Sequence, residues 1–173
     1  MVEGGFSMYT QLIKTPIGKL RIIAEEDSII GIDLVREQQD EKCMAHGRAQ
    51  QMPNDMTDKA AKELEEYFRG KRTEFSVCCI PRGTPFQEKV WQELCKVPYG
   101  ETTTYGKLAV RIGNPKGARA VGMALNKNPI LIMVPCHRII GFNGSLTGFG
   151  AGMDAKRYLL DLEKDKNIQS SGY

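Results

Sequence analysis

The apolar positions open with three short stretches rich in isoleucine and leucine, at 9–14, 19–24 and 28–34. Pro16 and Gly18 separate the first pair, and the acidic run Glu25 to Asp27 separates the second, which predicts an antiparallel meander. Residues 36–55 are polar and read as a loop or a ragged helix. Over 57–70 the pattern changes to a helical period. Thr57 can cap, Ala60, Ala61, Leu64, Tyr67 and Phe68 form one stripe, and Gly70 stops it. A short strand is expected at 75–80, and 81–84 is the most plausible linker. That predicts two domains, 1–83 and 84–173.

The second half is more helical. Thr84-Pro85 pairs a cap with proline at the first helical position, and Phe86, Val90, Trp91 and Leu94 follow at helical spacing. Pro98-Tyr99-Gly100 breaks that helix. A short helix over 104–112 turns Leu108, Ala109 and Ile112 inward and ends at Gly113. Asn114-Pro115 is expected to open another, running to about Asn126. Two short helices joined by a glycine-containing turn form a helix-turn-helix pattern. The second has small residues on its expected exposed face, Gly117, Ala118, Ala120, Gly122 and Ala124, around one long cation, Arg119. Glycine in a helix costs about 1 kcal/mol relative to alanine. Small residues let a backbone approach another surface closely. The face therefore suits either a shallow approach to a minor groove with Arg119 inserted or tight internal packing.

Charge favours the first. The chain of 173 residues has a net charge of +3, unevenly spread. Residues 1–85 hold 12 Lys/Arg against 14 Asp/Glu, and 86–173 hold 12 against 7. Between Thr102 and Met153 there is no acidic residue, yet Lys107, Arg111, Lys116, Arg119, Lys127 and Arg138 occur. Such exclusion of carboxylates points to a polyanion. No apolar run approaches the roughly 20 residues that span a bilayer. The first nine residues lack a signal-peptide pattern, so a cytoplasmic protein without a membrane partner is expected. Five cysteines at irregular positions are no disulfide framework.

The chemistry-bearing segment is Pro135-Cys136-His137-Arg138, wedged between the apolar run 130–134, expected to be a buried strand or extended segment, and Ile139-Ile140. A thiolate is the nucleophile, and an unperturbed cysteine at pKa about 8.5 is mostly protonated at neutral pH. A nearby imidazole or cation lowers that pKa or accepts the proton. Neighbours in an extended segment point opposite ways, so Cys136 and His137 would communicate through a water. His137 needs an orienting carboxylate. Glu163 is the attractive candidate, on a terminal helix over 154–166 with Tyr158, Leu159 and Leu162 as its apolar face. Asp161 stays open as an alternative. Five glycines in 141–152 read as a lid or wall over a pocket.

These residues carry a resemblance. The stretch from Thr84 to Glu163 resembles the O6-alkylguanine-DNA alkyltransferases, the methylated-DNA–protein-cysteine methyltransferases. Pro135-Cys136-His137-Arg138-Ile139 is similar to that family's active-site signature. Pro98-Tyr99-Gly100-Glu101-Thr102, Tyr105-Gly106, Gly113-Asn114-Pro115, Ala118-Arg119-Ala120-Val121-Gly122, Asn128-Pro129 and Leu159-Leu160 with Glu163 lie at family spacing. Thr15-Pro16-Ile17-Gly18 is weakly similar to its opening hairpin. The resemblance implies an α/β (α+β) protein with an N-terminal ribonuclease-H-like sheet-plus-helix domain and a C-terminal winged helix. It implies a DNA-repair enzyme that transfers an alkyl group from O6-alkylguanine in double-stranded DNA to its own cysteine, once, after nucleotide flipping.

By resemblance Cys136 accepts the alkyl group, and His137 and Glu163 form a water-linked chain that activates it. Asn128 braces the turn before the active-site segment, and Tyr105 stands beside the flipped nucleotide. Arg119 fills the vacated space, while Asn114, Lys116, Gly117, Ala118 and Ala120 share its DNA-contacting surface. No cofactor, no obligate protein partner and a monomer are implied. The family includes zinc-bearing members, but Cys43, His46, Cys78 and Cys79 make an awkward chelate, and no metal is expected. The family often has Tyr where this chain has Phe149, and Gly or Ser around Gly150-Ala151. Two rival classes lack support. A cysteine hydrolase leaves the acid-free face without a role. Of the non-enzymatic DNA-binding modules, a winged-helix regulator has no need of the cysteine motif, and an alkyltransferase-like lesion sensor would have Cys136 replaced.

Overall fold

The computed structural model describes residues 7–36 and 52–170, and the chain divides into two compact units, 1–80 and 81–173. In the first, β1 (Tyr9–Thr15), β2 (Gly18–Ala24) and β3 (Ile29–Leu34) form an antiparallel sheet in the order β1-β2-β3. The register runs from Thr15 opposite Gly18 to Tyr9 opposite Ala24. Gly18 takes φ +123°, a conformation open to glycine that closes the two-residue turn. Period-two alternation sends Leu20, Ile22 and Ala24 to one face, where they are buried.

Helix α1 (Asp55–Phe68) covers the sheet with Ala60, Leu64 and Tyr67 buried. Its cap is Asn54, not Thr57. Asn54 accepts from the Thr57 amide at 2.9 Å, and the Thr57 hydroxyl accepts from the Asn54 amide at 2.9 Å, a reciprocal capping box. The strand expected at 75–80 is reduced to one bridge, Cys79 with Ile29. Buried Glu63 takes up the local backbone there instead, accepting from the Ser76 amide at 2.8 Å. Cys43 and His46 lie outside the described residues. Cys78 is exposed and Cys79 half-buried.

The second unit begins with α2 (Pro85–Leu94), capped by Thr84 in a capping box with Gln87. Val90, Trp91 and Leu94 are buried, and the Trp91 indole donates to the Ala124 carbonyl at 3.0 Å. That bond ties α2 to α4. Strand β4 (Thr103–Thr104) leads into α3 (Tyr105–Arg111), with Thr104 as its cap. Helix α4 is Ala118–Asn126, so it starts three residues later than a cap at Asn114 with Pro115 in the first position suggested. Residues 114–117 form a turn instead, closed by the Gly117 amide donating to Asn114 at 2.8 Å. Strand β5 (Ile139–Ile140) pairs in parallel with β4, Thr103 with Ile139 and Thr104 with Ile140. Helix α5 spans Met153–Ser170. Helix-turn-helix, short ladder and following turn make a winged helix. Among the described residues, no helix is long and apolar enough to cross a membrane.

Candidate active site and nucleic-acid interface

Asn128 lies just past the end of α4 and organises everything up to the cysteine. Its Oδ1 accepts from the Ile130 amide at 3.0 Å. Its Nδ2 donates to the Val134 carbonyl at 2.9 Å and to Cys136 Sγ at 3.2 Å. One amide therefore closes a loop of eight residues onto the thiol. The intervening run is not a strand. It is a series of tight turns in which buried Ile132 adopts φ +72°. A β-branched residue in the left-handed region costs of order 1–3 kcal/mol, and the Asn128 clamp and the surrounding core hold it there.

Cys136–Arg138 is one turn of 3-10 helix rather than extended chain. Successive side chains then diverge by about a third of a turn, and His137 and Arg138 both reach α5. His137 Nε2 lies 2.7 Å from Glu163 Oε1. Arg138 donates to the same carboxylate from Nε at 2.9 Å and Nη2 at 3.0 Å, and to the Val97 carbonyl at 2.7 Å. The Gly100 amide donates to Glu163 Oε2 at 3.1 Å. Between the two acidic candidates, the structure selects Glu163, which is buried, whereas Asp161 is exposed. Arg138 is likewise buried, so it is not one of the surface cations.

The electrostatics assign the protons. Burial alone would raise the Glu163 carboxyl, but the hydrogen bonds from His137 and Arg138 and the Arg138 guanidinium charge outweigh it and hold it well below the ordinary carboxylate range. Burial pushes the His137 imidazole below its ordinary value, against the pull of Glu163. The pair is thus carboxylate plus neutral imidazole. An ionised carboxylate only accepts, so Nε2 carries the ring proton and Nδ1 is a bare acceptor. Nδ1 is buried and has no hydrogen-bond partner among the described residues. Burial also pushes the Cys136 thiol up, opposed by the Asn128 hydrogen bond and the charge of Lys156.

Lys156 was not foreseen. It is fully buried on α5. Its ammonium donates to the Ile139 carbonyl and, at 2.7 Å, to the Thr147 carbonyl. The phase of α5 explains the oversight. Ala155, Leu159, Leu160 and Glu163 face inward, while Tyr158 is exposed. On that phase Lys156, Leu160 and Glu163 occupy one stripe.

The thiol opens into a narrow cleft lined by Tyr105, Asn126, Gly148, Phe149 and Gly150, about 10 Å³ in volume. That is room for about one water. Its wall is pinned at Thr147, whose carbonyl accepts from the Tyr105 hydroxyl at 3.3 Å. The Phe149 ring stands edge-on to His137, centroids 6.4 Å apart. Outside, Lys107, Arg111, Lys116, Arg119 and Lys127 are exposed, as are Asn114 and Ala120, with Ala118 half-buried. Gly117 and Ala124, expected on the exposed face of α4, are buried. A Cβ at Gly117 would come within 2.3 Å of the Asn114 side chain, so the glycine serves that turn. Among the described residues no group of three or more His, Cys, Asp or Glu side chains could hold a metal.

A sheet-and-helix domain, followed by a winged helix in which a cleft cysteine adjoins a buried histidine–glutamate pair, defines a class that sequence comparison identifies. Residues 8–79 match the "6-O-methylguanine DNA methyltransferase, ribonuclease-like domain" and residues 85–165 match its "DNA binding domain". The chain belongs to the 6-O-methylguanine DNA methyltransferase family. It is similar to methylated-DNA–protein-cysteine methyltransferases from Methanosarcina mazei (43% identity, covering 91% of this chain and 98% of that one) and Haemophilus influenzae (44%, covering 91% and 87%). Among solved structures it is similar to the Mycobacterium tuberculosis O6-methylguanine methyltransferase (TM-score 0.81, 42% identity, covering 92% and 94%). It is also similar to the M. tuberculosis protein in complex with DNA (TM-score 0.80, 41% identity, covering 91% and 94%).

Proposed function

We propose that the chain is a DNA-repair methyltransferase that moves the alkyl group of O6-alkylguanine in duplex DNA onto Cys136, once per molecule. The observation that carries this reading is the placement of Cys136 Sγ. It sits at the base of the cleft, bonded to Asn128 and sequence-adjacent to an imidazole whose proton-accepting nitrogen has no partner.

The steps use this chain's own groups. The exposed cations hold duplex phosphates without reading sequence. Helix α4, which has no side-chain cap, lies in the minor groove with Arg119 replacing the extruded guanine. Exposed Asn114, Lys116 and Ala120 share that surface with half-buried Ala118, while buried Gly117 only shapes the turn before the helix. Flipping costs a few kcal/mol, least for an already weakened pair. The cleft in its closed form is too small for a purine, so 147–150 must draw back. Gly148 and Gly152, both at positive φ, give that segment its hinges.

Deprotonation precedes attack. The thiol proton passes through one water to His137 Nδ1, and Glu163 stabilises the resulting imidazolium. The thiolate keeps the Asn128 hydrogen bond and the nearby Lys156 charge. Sulfur then bonds to the alkyl carbon as the carbon–O6 bond breaks. The electron pair leaves on guanine, which takes up the proton that His137 had accepted, so the imidazole is neutral again, with Tyr105 beside O6. The net products are a thioether on Cys136 and restored guanine. A thioether has no acidic proton and is a poor leaving group, so the protein is spent. A substrate role for O4-alkylthymine fits the same pocket chemistry. A mass gain of one methyl on the Cys136 peptide after incubation with duplex containing O6-methylguanine tests the proposal.

A further inference from the structure

The wing carries a feature that the transfer chemistry leaves unused. Phe142 is 94% exposed, the most exposed large apolar side chain among the described residues. It does not dangle from a loose loop. The Gly141 amide donates to the Ser145 carbonyl at 2.8 Å, the Gly144 amide to the Gly141 carbonyl at 2.9 Å, and the Ser145 amide to Asn143 Oδ1 at 3.1 Å. Gly144 at φ +79° closes the turn. A Cβ on Gly141 would come within 2.5 Å of the Ser145 hydroxyl, so the turn is tightly wound. An aromatic ring held into water on a braced turn forgoes the burial that drives folding.

The position of the turn indicates its partner. The parallel β4–β5 ladder brings Ile140 beside Thr104. Both chains leave the ladder in the same direction, one into α3 at Tyr105 and the other into the Phe142 turn. The same segment then returns as the cleft wall at Gly148 to Gly150. The turn that carries the ring therefore links β5 to the wall of the thiol's cleft. Sequence around it contains no carboxylate from Thr102 to Met153 and several exposed cations.

Resting on the function proposed above, we infer that Phe142 is a DNA-contacting aromatic that packs on the base or sugar of the nucleotide flanking the lesion. Aromatic side chains suit this place because every base and deoxyribose offers an apolar face, whatever the sequence. Phenylalanine is also one of the side chains that minor-groove proteins press against base steps. The contact steadies the strand next to the extruded nucleotide while the phosphates are held by the cations.

The chain's single tryptophan, Trp91, is 1% exposed, so Phe142→Trp adds a distinct exposed fluorophore. Titration with a short duplex containing O6-methylguanine should quench its emission. Phe142→Ala should bind that duplex roughly fivefold to thirtyfold more weakly. Its ratio of duplex to free-base transfer rates should fall by a similar factor. Unchanged emission together with wild-type duplex affinity would overturn the inference. A wild-type dimer that Phe142→Ala dissolves would overturn it too, because the ring would then serve a second copy. Failure of the parent proposal shows separately, as wild-type Cys136 left unmodified by mass.

Discussion

His137 Nε2 sits 2.7 Å from Glu163 Oε1, and both side chains are closed off from solvent. The carboxylate fixes the tautomer and leaves Nδ1 as the acceptor. Glu163→Gln removes the charge that stabilises an imidazolium and leaves Arg138 buried without its counter-ion. Transfer should slow by about 100-fold. Stability should fall by about 3–5 kcal/mol, the usual cost of breaking a buried pair. Single-turnover kinetics and urea denaturation measure the two.

The same pair sets the acid limit. The Glu163 carboxyl titrates at about 2 in the fold, against an ordinary 4.5. Between those values the unfolded chain binds a proton that the folded one does not. The contribution is complete above about pH 4.5 and is lost as pH drops towards 2. Acid unfolding followed by circular dichroism should therefore show a limb in that window that is flattened in Glu163→Gln.

Lys156→Met keeps the length of the side chain and removes its charge. The thiolate loses an electrostatic partner, and the Thr147 wall loses its tie. The alkaline rise of the transfer rate should move to higher pH, with about tenfold slower reaction at neutral pH. Lys156→Arg, which keeps the charge, should retain the profile. A pH–rate series on the three proteins decides it.

Asn128→Ala leaves the Ile130 amide without its partner, removes one of the two donors to the Val134 carbonyl and strips Sγ of a donor. Stability should drop by about 1–3 kcal/mol, and transfer should slow even where the protein is fully folded. A loss that vanishes once folding is restored by lower temperature would reduce Asn128 to a scaffold residue.

Arg119→Ala should cut repair of duplex at least tenfold and leave reaction with free alkylated base nearly intact. Paired kinetics on the two substrates test this. Equal loss on both would contradict the finger role.

Much of this was legible from residue types alone. Isoleucine-rich runs with Pro16, Gly18 and the acidic break marked the meander, and Thr84-Pro85 marked the start of α2. Cys136 stood out because proline, histidine and arginine are poor company for a merely buried thiol. Other features were hidden. The 3-10 turn at Cys136 has no propensity signature, being imposed by Asn128 and by the Glu163 pair across the fold. Tyr158 and Leu162 drew the apolar face of α5 to the wrong phase. Turned to 155, 159, 160 and 163, the stripe contains two ionised residues, Lys156 and Glu163. Charges on a core-facing stripe were the available signal for Lys156. Arg138 read as a surface cation because sequence counts charge without locating it. The small residues of α4 likewise mixed two roles, with Gly117 serving its own turn and Ala120 facing outward.

The most direct test is the intact and peptide mass of the purified protein after incubation with duplex DNA containing one O6-methylguanine. The account predicts a single methyl on the Cys136 peptide, at one per protein, and none in Cys136→Ala, which still binds the DNA. Wild-type protein recovered with an unmodified Cys136 while the lesion persists, or methyl transfer that continues in Cys136→Ala, would contradict it.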